Sequence, residues 1–451
     1  MTAPYWEDDA VALYLGDCLD VLRTLPDASV DAVVTDPPAG ISFMGRDWDG
    51  DLGGRGRWIA WHADRLAEAV RVLKPGGHAL VWALPRTSHW TAMAVEDAGL
   101  EIRDCVTHLF GSGFPKSHDV GKAIDKAAGA ERPVIGVAAD FAQDGAGRRT
   151  DGSHLVPHGH QGGHGYGDRW SAPVTAPATE EAARWDGWGT ALKPAAEHWW
   201  LARRPLAGTV AANVLEHGTG ALNIDGCRTA AGQDYRDKCA SVVGLDSNRN
   251  GDAYGDWPGA RTDSAHQAGR WPTNVVLSHP PIMVDGEVVG DACASGCVDG
   301  CPVAELDRQS GITTSLGGSR GAGGQHGAYS PINAQHDLKP GFGDTGGASR
   351  FFPTFRYEAK APASERPKLP DGTAWPTVKP VALMRWLVRL VTPPNGVVLD
   401  PFAGTGTTAE AAVTEGFRAL LIERDPQAAE LIKTRLAKPI APVLDFEGER
   451  T

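Results

Sequence analysis

The run Thr35-Asp36-Pro37-Pro38 puts a carboxylate directly after the apolar stretch from Val30 to Thr35. If that stretch is a parallel strand, Asp36 stands at its carboxyl end, where open α/β sheets take their ligands. An amine whose lone pair is delocalised into a ring is a poor nucleophile. A carboxylate and a neighbouring backbone carbonyl that accept its two hydrogens can localise that pair. Asp36 and the carbonyl of Pro37 make such an acceptor pair, and Pro37 and Pro38 stiffen the backbone without adding N–H donors. Taken alone, these residues read first as a strand-ending turn, because Asp-Pro is a common turn opener.

A second constellation does not leave them alone. Asp400-Pro401-Phe402-Ala403-Gly404-Thr405-Gly406-Thr407-Thr408 joins an apolar stretch to a helical pattern. Gly404 and Gly406 permit close approach of backbone to a ligand, and the helix N-terminus favours a carboxylate. Glu423 ends the following strand, where an acid commonly accepts ribose hydroxyls. Strand, glycine loop, helix, strand and acid form a nucleoside-cofactor layout. A dinucleotide site competes with it, although Ala409 occupies the last position of the G-x-G-x-x-G pattern, and no phosphate loop of the G-x-x-x-x-G-K-[ST] type occurs.

The elements that would position these groups alternate. Strand-like Val11 to Leu15, helical Cys18 to Leu25, strand-like Val30 to Thr35, helical Trp58 to Leu73 and strand-like His78 to Trp82 make a βαβ rhythm. It returns as a helix over 381–391, a strand over 396–400, a helix over 408–415, a strand over 418–423 and a helix over 428–436. The expected fold is α/β, a doubly wound, mostly parallel sheet built from both ends of the chain. Residues 1–128, 185–228 and 351–438 are assigned to this core, the middle piece for its strand-like Glu197 to Ala202. The Gly/His-rich insertion 129–184 and the Gly/Ser-rich Gly311 to Gly347 read as loop or disorder, and the tail 439–451 as frayed.

In this order the motifs TDPPAG, LKPGG, WPTVKP and DPFAGTGTT resemble the β-class amino DNA methyltransferases, whose circularly permuted chains carry the catalytic DPPY motif before the FxGxG cofactor motif. The resemblance runs over essentially the whole chain. It implies an S-adenosylmethionine-dependent methyltransferase fold acting on double-stranded DNA, with Asp36, Pro37 and Pro38 catalytic. It further implies that Asp400, Phe402, Gly404, Gly406 and Thr407 shape the cofactor site, that Glu423 holds the ribose, that Gly16 and Asp17 line the adenine end, and that Thr377 and Lys379 open the helix beside the methionine end. Aspartate before the prolines is the form usual in adenine-N6 enzymes, with cytosine-N4 transfer as the alternative. Cytosine-C5 chemistry needs a Pro-Cys nucleophile, and no cysteine adjoins the motif. The setting implied is restriction–modification, phage or defence, with a homodimer or a defence partner as further expectations.

Position 39 departs from the pattern, being alanine where the family has an aromatic ring that stacks on the flipped base. Either another ring such as Phe43 or Trp48 takes that role, or a tyrosine-to-alanine change has disabled catalysis. A non-catalytic DNA-binding subunit that keeps the fold is the rival reading, and methylation of RNA or of a protein amide a third. Residues 229–350 lie where the family carries target recognition. They hold Arg236, Lys238, Arg249, Arg261, Arg270, Arg308 and Arg320 among Tyr235, Tyr254, Trp257 and Trp271, a mix suited to phosphate, base-edge and stacking contacts or to an ordinary solvated surface. With a net charge of -13, any DNA site must be a local patch.

Cys293, Cys297 and Cys301, spaced four apart, with His279 upstream, could supply a structural Cys₃His zinc site, or be simple reduced cysteines. Seven cysteines in 451 residues are too few for a secreted disulfide framework, and the N-terminal MTAPYWEDDA lacks the basic and apolar regions of a signal peptide, so a cytoplasmic location is expected. No apolar run reaches the roughly 18 residues of a membrane span.

Overall fold

The computed structural model describes residues 3–42, 45, 47–111, 117–137, 173–231, 268–279, 282–284, 287–290, 297, 301–314, 345–356, 367, 372, 375 and 378–437. Among them one sheet of ten strands dominates. In chain order these are β1 (Trp6–Glu7), β2 (Val11–Leu15), β3 (Val30–Thr35), β4 (Leu73–Ala83), β5 (Glu101–Leu109), β6 (Ala196–Arg203), β7 (Val275–His279), β8 (Thr354–Arg356), β9 (Val397–Asp400) and β10 (Arg418–Glu423). Across the sheet they run β1-β2-β10-β9-β3-β4-β6-β5-β7-β8. β2, β10, β9, β3 and β4 are mutually parallel, as are β5, β7 and β8. Only β6, antiparallel to both its neighbours, and the edge strand β1 run the other way. The mostly parallel α/β sheet expected from the sequence is therefore present, and the C-terminal strands β9 and β10 are inserted between β2 and β3.

Parallel strands covered on both faces read as continuous apolar runs, and β3 is buried at every position. Its one charge, Asp31, accepts from Lys74 Nζ at 2.6 Å and from the backbone N–H of Val397 at 2.8 Å. One face is covered by α1 (Cys18–Leu22), α2 (Arg55–Val72) and α3 (Ser88–Asp97), through Leu22, Trp58, Leu66 and Val95. The other is covered by α8 (Val381–Val391), α9 (Thr407–Thr414) and α10 (Pro426–Leu436), through Leu387, Ala412 and Ile432. Of the remaining helices, α4 is Val120–Ala127, α5 Glu180–Arg184, α6 Val210–His217 and α7 Pro302–Ser310. No helix among the described residues is long and apolar enough to cross a membrane.

Several elements differ from the sequence expectation for local reasons. α1 stops at Leu22, short of Leu25, because Thr24 and Leu25 donate to Val21 and Leu22 in tighter i to i+3 turns, just ahead of Pro26. β4 starts earlier, at Leu73, and runs through Pro75-Gly76-Gly77 with a register shift against β3. Asn213 Nδ2 from α6 donates to the Pro75 carbonyl and so satisfies this irregular stretch. β5 and α3 had no apolar pattern to announce them: most of β5's first five residues are exposed.

β9 leads through α9 to β10 on one side, whereas β3 leads through α2 to β4 on the other. The chain diverges between β9 and β3, which opens a crevice at their carboxyl ends. The buried carboxylate of Asp400 holds this point together. Its Oδ1 accepts from Thr35 Oγ1 at 2.7 Å and from the Phe402 N–H at 3.1 Å, and its Oδ2 from Thr408 Oγ1 at 2.6 Å. Burial nonetheless pushes the carboxyl up to about 6. Thr35→Val removes one donor from a buried acceptor, so urea unfolding should show a loss of about 1–3 kcal/mol. An unchanged midpoint would mean that the bond carries no load.

Candidate active site

The crevice deepens into a cavity of about 740 Å³. Its walls come from the β2–α1 turn (Gly16, Asp17), the segment after β3 (Asp36, Pro37, Pro38, Ala39), the β9–α9 loop (Asp400 to Thr408), the end of β10 (Glu423) and the approach to α8 (Lys379, Pro380). The two motifs that stand far apart in the chain thus face one space. Thr377 and Phe43 lie outside the described residues.

On the β3 side, Lys379 Nζ stands 3.2 Å from Asp36 Oδ2, 3.7 Å from Glu197 Oε2 and 3.6 Å from the centre of the Trp82 ring. Trp82 Nε1 donates to Glu197 Oε2 at 3.0 Å. Two carboxylates therefore share one ammonium over an aromatic face. Burial pushes the Asp36 carboxyl above its ordinary range, the Lys379 charge works against it, and Glu197 adds to it. For Glu197 burial also pushes upward, but Lys379, His108 and the Trp82 bond together hold it below the usual value. Glu197, Trp82 and Asp49 were not singled out from the sequence. Glu197 offered one signal, a carboxylate directly ahead of the aromatic and apolar run HWWLA.

The backbone beyond the prolines is fixed from several sides. Asp49 Oδ1 accepts from the N–H groups of Ala39 at 2.6 Å and Gly40 at 3.1 Å, and Thr87 Oγ1 donates to the Ala39 carbonyl at 2.9 Å. Gly40 has φ +71°, and a Cβ there would stand 2.5 Å from Trp58 Nε1, so no other residue fits. Ala39 lines the cavity with only a methyl group, and Trp48, 44% exposed, lines the same cavity.

On the β9 side, Glu423 Oε2 accepts from the Gly404 N–H at 2.7 Å, while Oε1 accepts from Arg424 and Asp425 N–H at 2.8 and 2.7 Å. A carboxylate has about four lone-pair positions. One therefore remains, on Oε2, for a ligand hydroxyl. Gly404 has open space where a Cβ would point, and the buried Thr405 hydroxyl has no hydrogen-bond partner among the described residues. The N-cap of α9 is Gly406 (φ +79°), which supplies no side-chain cap and so leaves the first N–H groups of the helix available to an anion. Asp400 lines the cavity but gives both oxygens to protein donors. Asp17 caps α1 by accepting from Leu19 N–H at 2.9 Å and pairs with Arg65 at 3.3 Å. His62 packs near Phe402, and burial lowers its ring to about 3, so it stays neutral.

Of the cationic and aromatic residues proposed for target recognition, Arg270, Trp271 and Arg308 are described, and the others lie outside the described residues. Arg308 is paired with Glu305 on α7. Arg270 and Arg350 flank the Phe351 ring, and Arg228 lies over Trp271, which is 53% exposed. His279 Nδ1 lies 3.6 Å from Cys297 Sγ and 3.4 Å from Cys301 Sγ. Cys293 is outside the described residues.

Comparison with known proteins gives three kinds of match. Residues 264–434 match the N6/N4 family model described as DNA methylase. The type II methyltransferase M.BamHI of Bacillus amyloliquefaciens is 30% identical over 114 residues, 25% of this chain and 26% of that protein. The putative methylase YubD of Escherichia coli K12 is 40% identical over 84 residues, 17% of this chain and 37% of that protein. The chain thus spans about a quarter to somewhat over a third of the length of these curated relatives. Among solved structures, the cytosine-N4-specific PvuII DNA methyltransferase aligns over 99% of this chain and 91% of its own at 12% identity and a TM-score of 0.41. A putative DNA modification methylase of Thermus thermophilus, complexed with S-adenosyl-L-methionine, aligns over 95% of both chains at 16% identity and a TM-score of 0.35. Residues 264–434 of this chain are thus similar to the N6/N4 family of DNA methylases.

Proposed function

We propose that this chain transfers the methyl group of S-adenosylmethionine to the exocyclic amine of a base in double-stranded DNA, adenine N6 rather than cytosine N4. The observation that carries this reading is the single cavity in which Asp36 faces the glycine loop and Glu423. The cofactor fits the groups present: the unpartnered Thr405 hydroxyl, the open space at Gly404, the remaining acceptor position on Glu423 for a ribose hydroxyl, and the uncapped α9 N-terminus for the methionine carboxylate. Gly16 and Asp17 line the adenine end. When bound, the cofactor supplies an electrophilic methyl group on a sulfonium.

A base reaches this cavity only by leaving the helical stack. Lys379 engages Oδ2 of Asp36, and among the described residues no donor reaches Oδ1. That oxygen can accept one amine hydrogen while the Pro37 carbonyl accepts the other, which turns the nitrogen lone pair out of the ring. As nitrogen takes the methyl group, the methyl–sulfur bond of the bound cofactor would break and leave its electron pair on a neutral thioether, while positive charge develops on nitrogen and a proton leaves it. Asp36, its pKa raised by burial, is suited to hold that proton. Trp48 supplies the stacking surface that position 39 lacks. Trp271 and Phe351, both exposed, offer faces on which unstacked bases can stack, while Arg228 beside Trp271 is buried and paired with Asp225. Adenine is preferred on the aspartate before the prolines. A restriction–modification, phage or defence role and a homodimer are consistent with this activity.

The test is tritiated methyl transfer from S-adenosylmethionine to unmethylated genomic DNA, followed by nucleoside analysis. The chain should yield N6-methyladenine, Asp36→Ala should abolish it, and Trp48→Ala should lower kcat/KM about ten- to a hundredfold, the value of one stacked base. The second reading, a chain disabled at position 39, is favoured by Ala39 itself. It predicts that only Ala39→Tyr labels DNA. If no form labels DNA although all bind it, a non-catalytic subunit replaces both.

The acid side of the rate profile gives a separate check. Asp36 must be ionised to accept the amine hydrogen, so activity falls as pH drops through its pKa. Lys379 lowers that pKa, while burial and Glu197 raise it. Lys379→Met should therefore move the acid limb to higher pH. A limb that stays in place or moves down would exclude Asp36 as the titrating group.

A further inference from the structure

His279 closes β7, and Cys301 occupies the N-cap position of α7. Cys297 stands four residues before Cys301. The ligand atoms of these three residues all lie within 4.8 Å of one another. Around a tetrahedral zinc ion, with Zn–S near 2.3 Å and Zn–N near 2.0–2.1 Å, a sulfur and a nitrogen ligand stand about 3.5 Å apart. The two separations here, 3.4 and 3.6 Å from the same Nδ1, match that value. Both separations also suit sulfur hydrogen bonds, but two sulfurs converging on one ring nitrogen at nearly equal distances is the arrangement that a shared tetrahedral ion gives. Soft sulfur with imidazole is a donor set that selects zinc over magnesium or calcium.

We infer that His279, Cys297 and Cys301 bind one structural zinc ion. Binding expels the two thiol protons to solvent and leaves the metal held by two thiolates and Nδ1, with the fourth corner taken by a further thiolate or by water. The surroundings call for such a clamp. Among the described residues the local core has only Leu277, Cys301 and Val303 buried, with Leu109, Val275, Leu306 and Phe352 packed around them. The metal ties the end of β7 to the start of α7 across this small core. Ser278, next to His279, is hydrogen-bonded to His108 Nε2 at 2.7 Å, and His108 lines the active-site cavity. The zinc therefore anchors the strand that backs one wall of that cavity.

Metal analysis of the full chain, purified under reducing conditions and passed through an EDTA-containing column, tests this apart from any methyl transfer. About one zinc per chain is expected, falling at least tenfold in His279→Ala. Because that variant could fail by misfolding, His279→Cys provides the second arm: it keeps a coordinating side chain and should retain the metal. Its cobalt form should show the visible bands of a tetrahedral thiolate site. Absence of stoichiometric zinc from the unaltered chain, equal zinc in His279→Ala, or thiol titration showing Cys297 and Cys301 joined as a disulfide would each overturn the assignment.

Discussion

The carboxylate of Asp400 is the joint on which the site depends. Thr35 and Asp400 are 365 positions apart, yet one 2.7 Å bond fixes the end of β3 against the end of β9. The segment carrying Asp36 leaves from one side of that bond, and the glycine loop leaves from the other. A buried carboxylate is costly unless its lone pairs are engaged. Three donors from β3, the loop and α9 engage this one, so the relative position of the two motifs and the solvation of Asp400 are a single constraint. Burial still raises its pKa to about 6, which shows that the donors offset only part of the desolvation.

The second constraint is electrostatic. Asp36 and Glu197 face one ammonium, and the Trp82 ring beneath Lys379 adds attraction without adding charge. The pair is asymmetric. Glu197 has the Trp82 N–H as well as the lysine and is held below the usual carboxylate range, whereas Asp36, with the lysine as its partner among the described residues, is pushed upward by burial. Two nearby acids are thus driven in opposite directions by their environments, Glu197 downward and Asp36 upward.

Much of the central sheet was legible because parallel strands buried on both faces leave continuous apolar runs. β3, β10 and α8 fall where those runs and the helical period put them. The DPP and glycine-loop motifs were legible for the same reason, each being attached to such a run. What could not be read was the lateral arrangement. Nothing in the local pattern of Ala196–Arg203 says that it runs antiparallel between β4 and β5, and only that pairing carries Glu197 beside Trp82. The family resemblance implied that Lys379 opens the helix beside the methionine end of a cofactor; that its Nζ also reaches Asp36 is a matter of side-chain reach that spacing does not encode. β7 lies in the region read as target recognition, yet it hydrogen-bonds to β5 and extends the central sheet.

The alanine at position 39 is best understood through its backbone. The N–H groups of Ala39 and Gly40 are both held by Asp49, and the Ala39 carbonyl is held by Thr87. Gly40 is locked against Trp58 by a conformation that only glycine adopts easily. None of these contacts uses the side chain of residue 39. A missing ring there removes stacking area but leaves the path of the chain, and with it the Pro37 carbonyl and the Asp36 carboxylate, in place. The path of the chain after Asp36 and the ring area facing the cavity are thus separable: the first is built into the backbone and its buried partners, the second into rings such as Trp48 that line the cavity. The exposed Trp48, one residue before the aspartate that holds Ala39, is carried by the same piece of chain that secures the acceptors.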